Sequence, residues 1–188
     1  MTVENLFHEA CRSPLLPAGE RRCGPRFEKE AVEALLPHRG SFLFVDGITH
    51  FARTPSPKAL GDGEPAGTIA CRLDLGRIAP ELSGHFPGRP LWPGVLQVEA
   101  IGQAGLCLFR LLERNGLGEG EAGARRDYVL TDILAGRYLR PVAPRGEVEI
   151  VARVLRDGLF TVVVGQCLKD DLVCSAAAVR GVEKEVQE

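Results

Sequence analysis

The stretch Gly84 to Leu112, GHFPGRPLWPGVLQVEAIGQAGLCLFRLL, constrains this chain more than any other. A Pro- and Gly-rich loop carrying His85 runs into a segment that is apolar at almost every helical angle. Pro93 suits the first turn of a helix, because its fixed φ is helical and its missing N–H has no intrahelical partner there. The pattern predicts a helix from about Pro93 to Leu112, surrounded by protein rather than lying on a surface. At about 100° per residue Glu99 and Gln103 share one face, and Gln97 points the opposite way. A carboxylate on so apolar a helix needs a partner or a role, since burial penalises its charge. Glu99 is therefore the first candidate for chemistry.

A chain of 188 residues suffices for one good core, and no linker divides it. Residues 1–25 read as an irregular N-terminal arm, 26–182 as a single domain and 183–188 as a polar tail. With 23 Lys and Arg against 25 Asp and Glu the net charge is −2, which argues against duplex nucleic acid as a partner. No uninterrupted apolar run reads as a membrane span, and the N-terminus lacks the pattern of a signal peptide, so the expected setting is the cytoplasm. The six cysteines sit singly, without metal-ligand spacing, and read as reduced structural thiols. No metal is expected.

Along the chain, FEKEAVEALL (Phe27 to Leu36) has the spacing of a short amphipathic helix ended by Pro37. Ser41 to Val45 reads as the first strand, continuing in Ile48 to Phe51. Residues 54–67 form a loop, and Gly67 to Leu75 alternates as a strand with one wet face. Asn115 to Asp127 reads as a surface connection. Five strand-like runs follow, Tyr128 to Ile133, Gly136 to Leu139, Glu147 to Leu155, Leu159 to Leu168 and Leu172 to Arg180. The last three form an antiparallel meander with tight turns at Asp157-Gly158 and Lys169 to Asp171. A largely antiparallel sheet wrapped around one long helix is an α+β arrangement.

Three blocks, LPHRGSFLFVDGI (Leu36 to Ile48), GHFPGRPLWPGVLQVEAIGQAG (Gly84 to Gly105) and RYLRPVAPRGEVEI (Arg137 to Ile150), resemble successive signatures of the 3-hydroxyacyl-[acyl carrier protein] dehydratases of the hot-dog fold, in their glutamate-containing, dehydration-only branch. The middle block is the most specific, joining His, a Pro/Gly loop and a Glu fourteen residues on. The resemblance implies a homodimer with a continuous sheet, or a trimer of such dimers, and a site that takes His85 from one subunit and Glu99 from the other. It implies backbone amides of Gly94 and Val95 holding the thioester oxygen, support from Gln103, Phe86 and Pro93, and a channel lined by Trp92 and Leu96. No cofactor is implied, because the substrate carries its own phosphopantetheine. Ile101-Gly102 departs from the family's common Met-Ala, and residues 1–25 and 54–67 are longer than typical.

Dehydration of a 3-hydroxyacyl thioester needs a base for the proton on C2, an acid for the leaving hydroxyl and donors for the enolate-like oxygen; His85, Glu99 and the two amides supply these. Gln103 reads as structural, bonding backbone near the site. His38 and Arg39 read as contacts between helix and strand, and His8 and His50 as incidental. Arg39, Arg137 and Arg140, with Arg125, Arg126 and Arg145 nearby in sequence, are a solvated face or a patch for an acidic carrier protein. Two rivals stand beside the lyase reading: an acyl thioesterase of the same fold in which Glu99 activates water, and a non-catalytic acyl-binding subunit. Fatty acid and polyketide-type biosynthesis are equally compatible with the motifs.

Overall fold

A computed structural model describes residues 2–23, 26–54, 65–114 and 126–185. The 54–67 loop, apart from its ends, and the connection from 115 to 125, with Arg125, lie outside the described residues. Helices α1 (Val3–Arg12), α2 (Ala18–Arg21) and α3 (Lys29–Glu33) precede strands β1 (Gly47–Arg53) and β2 (Gly67–Asp74). The long helix α4 (Gly94–Leu112) follows, then β3 (Arg126–Tyr138), β4 (Glu147–Asp157), β5 (Phe160–Lys169) and β6 (Leu172–Glu185). The six strands form one antiparallel sheet in the order β1-β2-β4-β5-β6-β3, so β3 is an edge.

Two-residue turns close the meander. Gly158 has φ +59°, and Asp170 and Asp171 have φ 52° and 62°, the left-handed backbone that matches the twist of paired strands. β3 is one strand with two register shifts rather than two runs, and β6 continues to Glu185, past the expected end of the domain.

The concave face of the sheet packs on α4. The helix approaches β5 closely because both sides carry glycine: a Cβ on Gly105 would lie 2.4 Å from Val163, and one on Gly165 would lie 2.7 Å from Ile101. By length and composition α4 is long and apolar enough to cross a membrane, which corrects the reading that no segment reaches that length; most of it is buried inside the fold. That burial is what a core helix requires.

The opposite face is covered too. Leu6, Phe7, Ala10, Leu15 and Leu16 form a second apolar cluster with Val151, Leu155, Val162, Val164 and Leu168. The N-terminal arm is therefore not irregular: Thr2 caps α1 by accepting from the Asn5 N–H, and the helix lays one face on β5 and β6. Buried Gln166 fastens the arm, accepting from the Leu15 N–H at 2.6 Å and donating to the carbonyls of Ala10 and Ser13 at 2.6 and 3.1 Å. Fully buried Arg21 pairs with Glu149 at 2.9 Å and with Asp171, and donates to the Leu16 carbonyl. This explains why β4 to β6 read as nearly continuous apolar runs: alternate residues meet α4 and α1, and neither face is wet.

Ser41 to Val45 is not a strand. Gly40–Phe42 is a 3₁₀ turn, and Leu43, Phe44 and Val45 are buried in irregular backbone. Side chains satisfy that backbone where a strand ladder would have done so, with Arg77 donating to the carbonyls of Gly40 and Leu43. The expected helix from Phe27 shrinks to Lys29–Glu33 because Phe27 pairs with Ile48 as an isolated bridge at the start of β1.

Candidate functional site

Pro93 is the N-cap of α4, and its carbonyl accepts from the N–H groups of Leu96 and Gln97 at 3.1 and 3.2 Å. Among the described residues no carbonyl accepts from the Gly94 or Val95 N–H, as geometry requires of a first helical turn. Val95 is 67% exposed, and these two donors lie at the positive end of the helix. Gly94 is required there because a Cβ would lie 2.5 Å from the ring of Tyr138.

The loop before the helix holds His85 outward. The Leu91 N–H donates to the His85 carbonyl at 2.6 Å, the Trp92 N–H donates to Val142, and the His85 ring stacks on Phe86 with centroids 4.5 Å apart. The Nδ1 atom lies 3.1 Å from the Leu91 carbonyl. A carbonyl only accepts, so this bond assigns the proton of the neutral ring to Nδ1 and leaves the Nε2 lone pair free.

Beyond the first turn, the residues of α4 that the chain leaves partly open are Glu99, Gly102, Leu106 and Arg110, three and four positions apart on one stripe. Glu99 is 37% exposed rather than sealed in the core. Gln103 Nε2 donates to Glu99 Oε1 at 2.8 Å and to the Phe42 carbonyl at 2.9 Å, while Gln103 Oε1 accepts from the Phe44 N–H at 2.8 Å. Gln103 is thus structural, as expected, and in addition grips the carboxylate. His38 Nε2 lies 3.4 Å from the same Glu99 oxygen. Both neighbours gather at Oε1. The local pattern around His38 carries no sign of this contact, because it joins segments far apart in sequence.

Glu99, His38 and Gln103 stand at one side of an apolar cavity of about 140 Å³ between α4 and strands β3, β5 and β6. Trp92, expected in a channel, is 2% exposed in the core, and neither it nor Leu96 lines this cavity. Within one chain His85 and Glu99 do not meet: each is bonded elsewhere, and His85 does not line the cavity. The exposed Arg39 donates to the carbonyls of Glu33, Leu36 and His38. Arg137 and Arg140 are exposed near the end of β3, and Arg140 donates to the Val173 carbonyl.

An antiparallel sheet curled around one long helix, with a carboxylate on the helix's open stripe and free amides at its start, defines the hot-dog class. The chain belongs to the FabA-like family: the model of the FabA-like domain matches residues 36–177. It is 32% identical over 145 residues to the 3-hydroxyacyl-[acyl-carrier-protein] dehydratase FabZ of Tolumonas auensis, covering 76% of this chain and 85% of that one. The FabZ of Anaeromyxobacter sp. is 31% identical over 139 residues, covering 74% and 78%. Among solved structures, the dehydratase heterocomplex ApeI:P of Xenorhabdus doucetiae superposes with TM-score 0.55 at 16% identity, over 81% of this chain and 90% of that one. A mutant thioesterase of Pseudomonas aeruginosa gives TM-score 0.53 at 15% identity, over 89% and 99%. At such identities these two likenesses speak for the fold.

Proposed function

We propose that the protein is a lyase converting a 3-hydroxyacyl thioester, carried on acyl carrier protein, to the trans-2-enoyl thioester and water, in fatty acid or polyketide-type biosynthesis in the cytoplasm. The observation that carries the reading is Glu99, gripped at one oxygen by Gln103 and lining an apolar cavity, in a chain of the FabA-like family.

His85 Nε2 removes a proton from C2. The C–H pair becomes the C2=C3 bond, the C3–O bond breaks, and Glu99 Oε2 gives its proton to the departing hydroxyl, which leaves as water. The Gly94 and Val95 N–H groups hold the charge that develops on the thioester oxygen. Proton return from His85 to Glu99 restores both groups, so no redox or cofactor step is needed. The pair is completed between two subunits. Two features support this: the edge strand β3 with its exposed Val129, Leu130, Ile133, Leu134 and Tyr138, and the separate bonding of His85 and Glu99 in one chain. Exposed Arg137 and Arg140 sit beside Tyr138, against the helix start, where an acidic carrier would deliver its thioester.

The test is mass analysis of products from a 3-hydroxyacyl carrier thioester. His85→Ala and Glu99→Gln should each slow enoyl formation by about 10²-fold or more. Unchanged rates in both variants would overturn the assignment. Free acid in place of enoyl thioester would make the protein a hydrolase, and binding without turnover a non-catalytic subunit.

A further inference from the structure

Gly102 has no packing reason to be glycine. Unlike Gly94 and Gly105, where a Cβ would strike Tyr138 or Val163, a Cβ on Gly102 would meet nothing within 4 Å. Glycine in a helix interior is destabilising relative to alanine. The open space at Gly102 is the cavity beside Glu99, which it lines one turn further along α4, followed by Leu106 and Phe109. At the end of the helix run the Phe109 and Tyr128 rings meet with centroids 5.2 Å apart, and the Tyr128 hydroxyl donates to the Gly181 carbonyl at 3.3 Å. Away from Glu99, His38 and Gln103, the described lining carries no charged side chain. The polar groups left there are the hydroxyls of Thr161 and Tyr128, with Tyr128 already bonded to the Gly181 carbonyl, so the lining favours an apolar group over a polar pantetheine arm.

We propose that this cavity receives the tail of the acyl chain beyond C3, that it limits the tail to about six carbons, and that Gly102 is the residue that sets the limit. The proposal rests on the lyase reading, in which Glu99 addresses the oxygen on C3. The chain then lies along α4, with its thioester oxygen at the Gly94 and Val95 amides, C3 at Glu99, and its tail passing Gly102 toward Phe109. The volume gives the scale: the part of the cavity that one chain forms, about 140 Å³ and still open to solvent, is close to the roughly 150 Å³ of an apolar cavity that holds one benzene ring, six carbons. Substrates of up to about nine carbons fit on this count, and a longer chain would run on against the Phe109 and Tyr128 rings that line the cavity.

The experiment compares kcat/KM for straight-chain 3-hydroxyacyl carrier thioesters of four, eight and fourteen carbons in the wild type, Gly102→Leu and Tyr128→Ala. It also measures the affinities of the corresponding enoyl thioesters by calorimetry. Wild type should favour eight carbons over fourteen by at least tenfold. Gly102→Leu should lower the eight-carbon value at least tenfold more than the four-carbon value, and Tyr128→Ala should narrow the gap between eight and fourteen. Equal loss at every length in Gly102→Leu, or loss of the wild-type oligomeric state in that variant, would assign the glycine to packing and overturn the proposal. Turnover without length discrimination would overturn it and leave the lyase reading intact. Length-limited binding without turnover would do the reverse.

Discussion

Gln103 is the side chain on which the fold and the site depend together, and Gln103→Leu separates the two contributions. The substitution keeps the approximate volume and removes three hydrogen bonds of 2.8 to 2.9 Å, to the Phe44 N–H, the Phe42 carbonyl and Glu99 Oε1. The Phe44 N–H lies in buried, irregular backbone with no strand neighbour to take it, and an unsatisfied buried group costs about 1–3 kcal/mol. The Phe42 carbonyl is only part-buried and recovers water, so it adds less. Together the loss is about 3 kcal/mol. A chain of this size loses roughly 2–4 °C of Tm per kcal/mol, which gives a drop of about 6–12 °C. Calorimetry measures this directly. Glu99, released from its donor, should lower kcat about tenfold through misplacement, with KM for the carrier thioester little changed. A Tm within 2 °C of wild type would refute the reasoning.

Two further outcomes follow from burial. Cys107 and Cys167 are pushed up to about 12 by desolvation, and burial also holds Cys71 well above the usual thiol range. A folded chain that keeps these protons while the unfolded chain loses them is fully stabilised by them below the ordinary thiol pKa and loses that stability as pH rises from about 9 toward 12. Urea midpoints should therefore fall steeply above pH 9, by up to about 1.4 kcal/mol per pH unit for each thiol, and Cys107→Ala should flatten the slope; an equal slope in that variant refutes the account. Gln166→Leu breaks the three bonds that fasten the N-terminal segment, so trypsin should cut at Arg12, Arg21 or Arg22 at least tenfold faster while the remainder resists, and an unchanged digest would refute the docking role.

The long helix, its start at Pro93, and the shared face of Glu99 and Gln103 are legible in the sequence because each depends on local rules of spacing and proline chemistry. Ser41 to Val45 misleads because a buried apolar run looks the same whether a neighbouring strand or distant side chains satisfy its backbone. Here Gln103, 61 positions from Phe42, does so. The N-terminal helix carried a readable signal: Thr2 as cap, Glu4 in the first turn, and Val3, Leu6, Phe7 and Ala10 at helical spacing. The density of Pro and Gly after it concealed the pattern. The run TVVVGQCL in β5, apolar on both faces, was the complementary clue that something covers the outside of the sheet. His38 had no such clue, since its contact with Glu99 exists only once the chain has folded.

The open stripe of α4 and the exposed edge of the sheet are one feature rather than two. Leu130, 51% exposed on β3, lines the same cavity that Glu99, Gly102 and Leu106 open onto. Tyr138, near the end of the same strand, packs on Gly94 where the free amides begin. On the proposed dimer, a second β3 laid along this edge covers the apolar residues that the single chain leaves in water and closes the cavity from the side of Leu130. The same step brings the partner's loop, with its Nε2 lone pair, toward Glu99. Loss of nearby water penalises the charged form of a carboxyl and so favours the protonated acid that the proposed step needs. On that proposed dimer, hydrophobic association at β3 and the drying of the site would be a single event, and the half-open Glu99 of the isolated chain would be the incomplete form of that site.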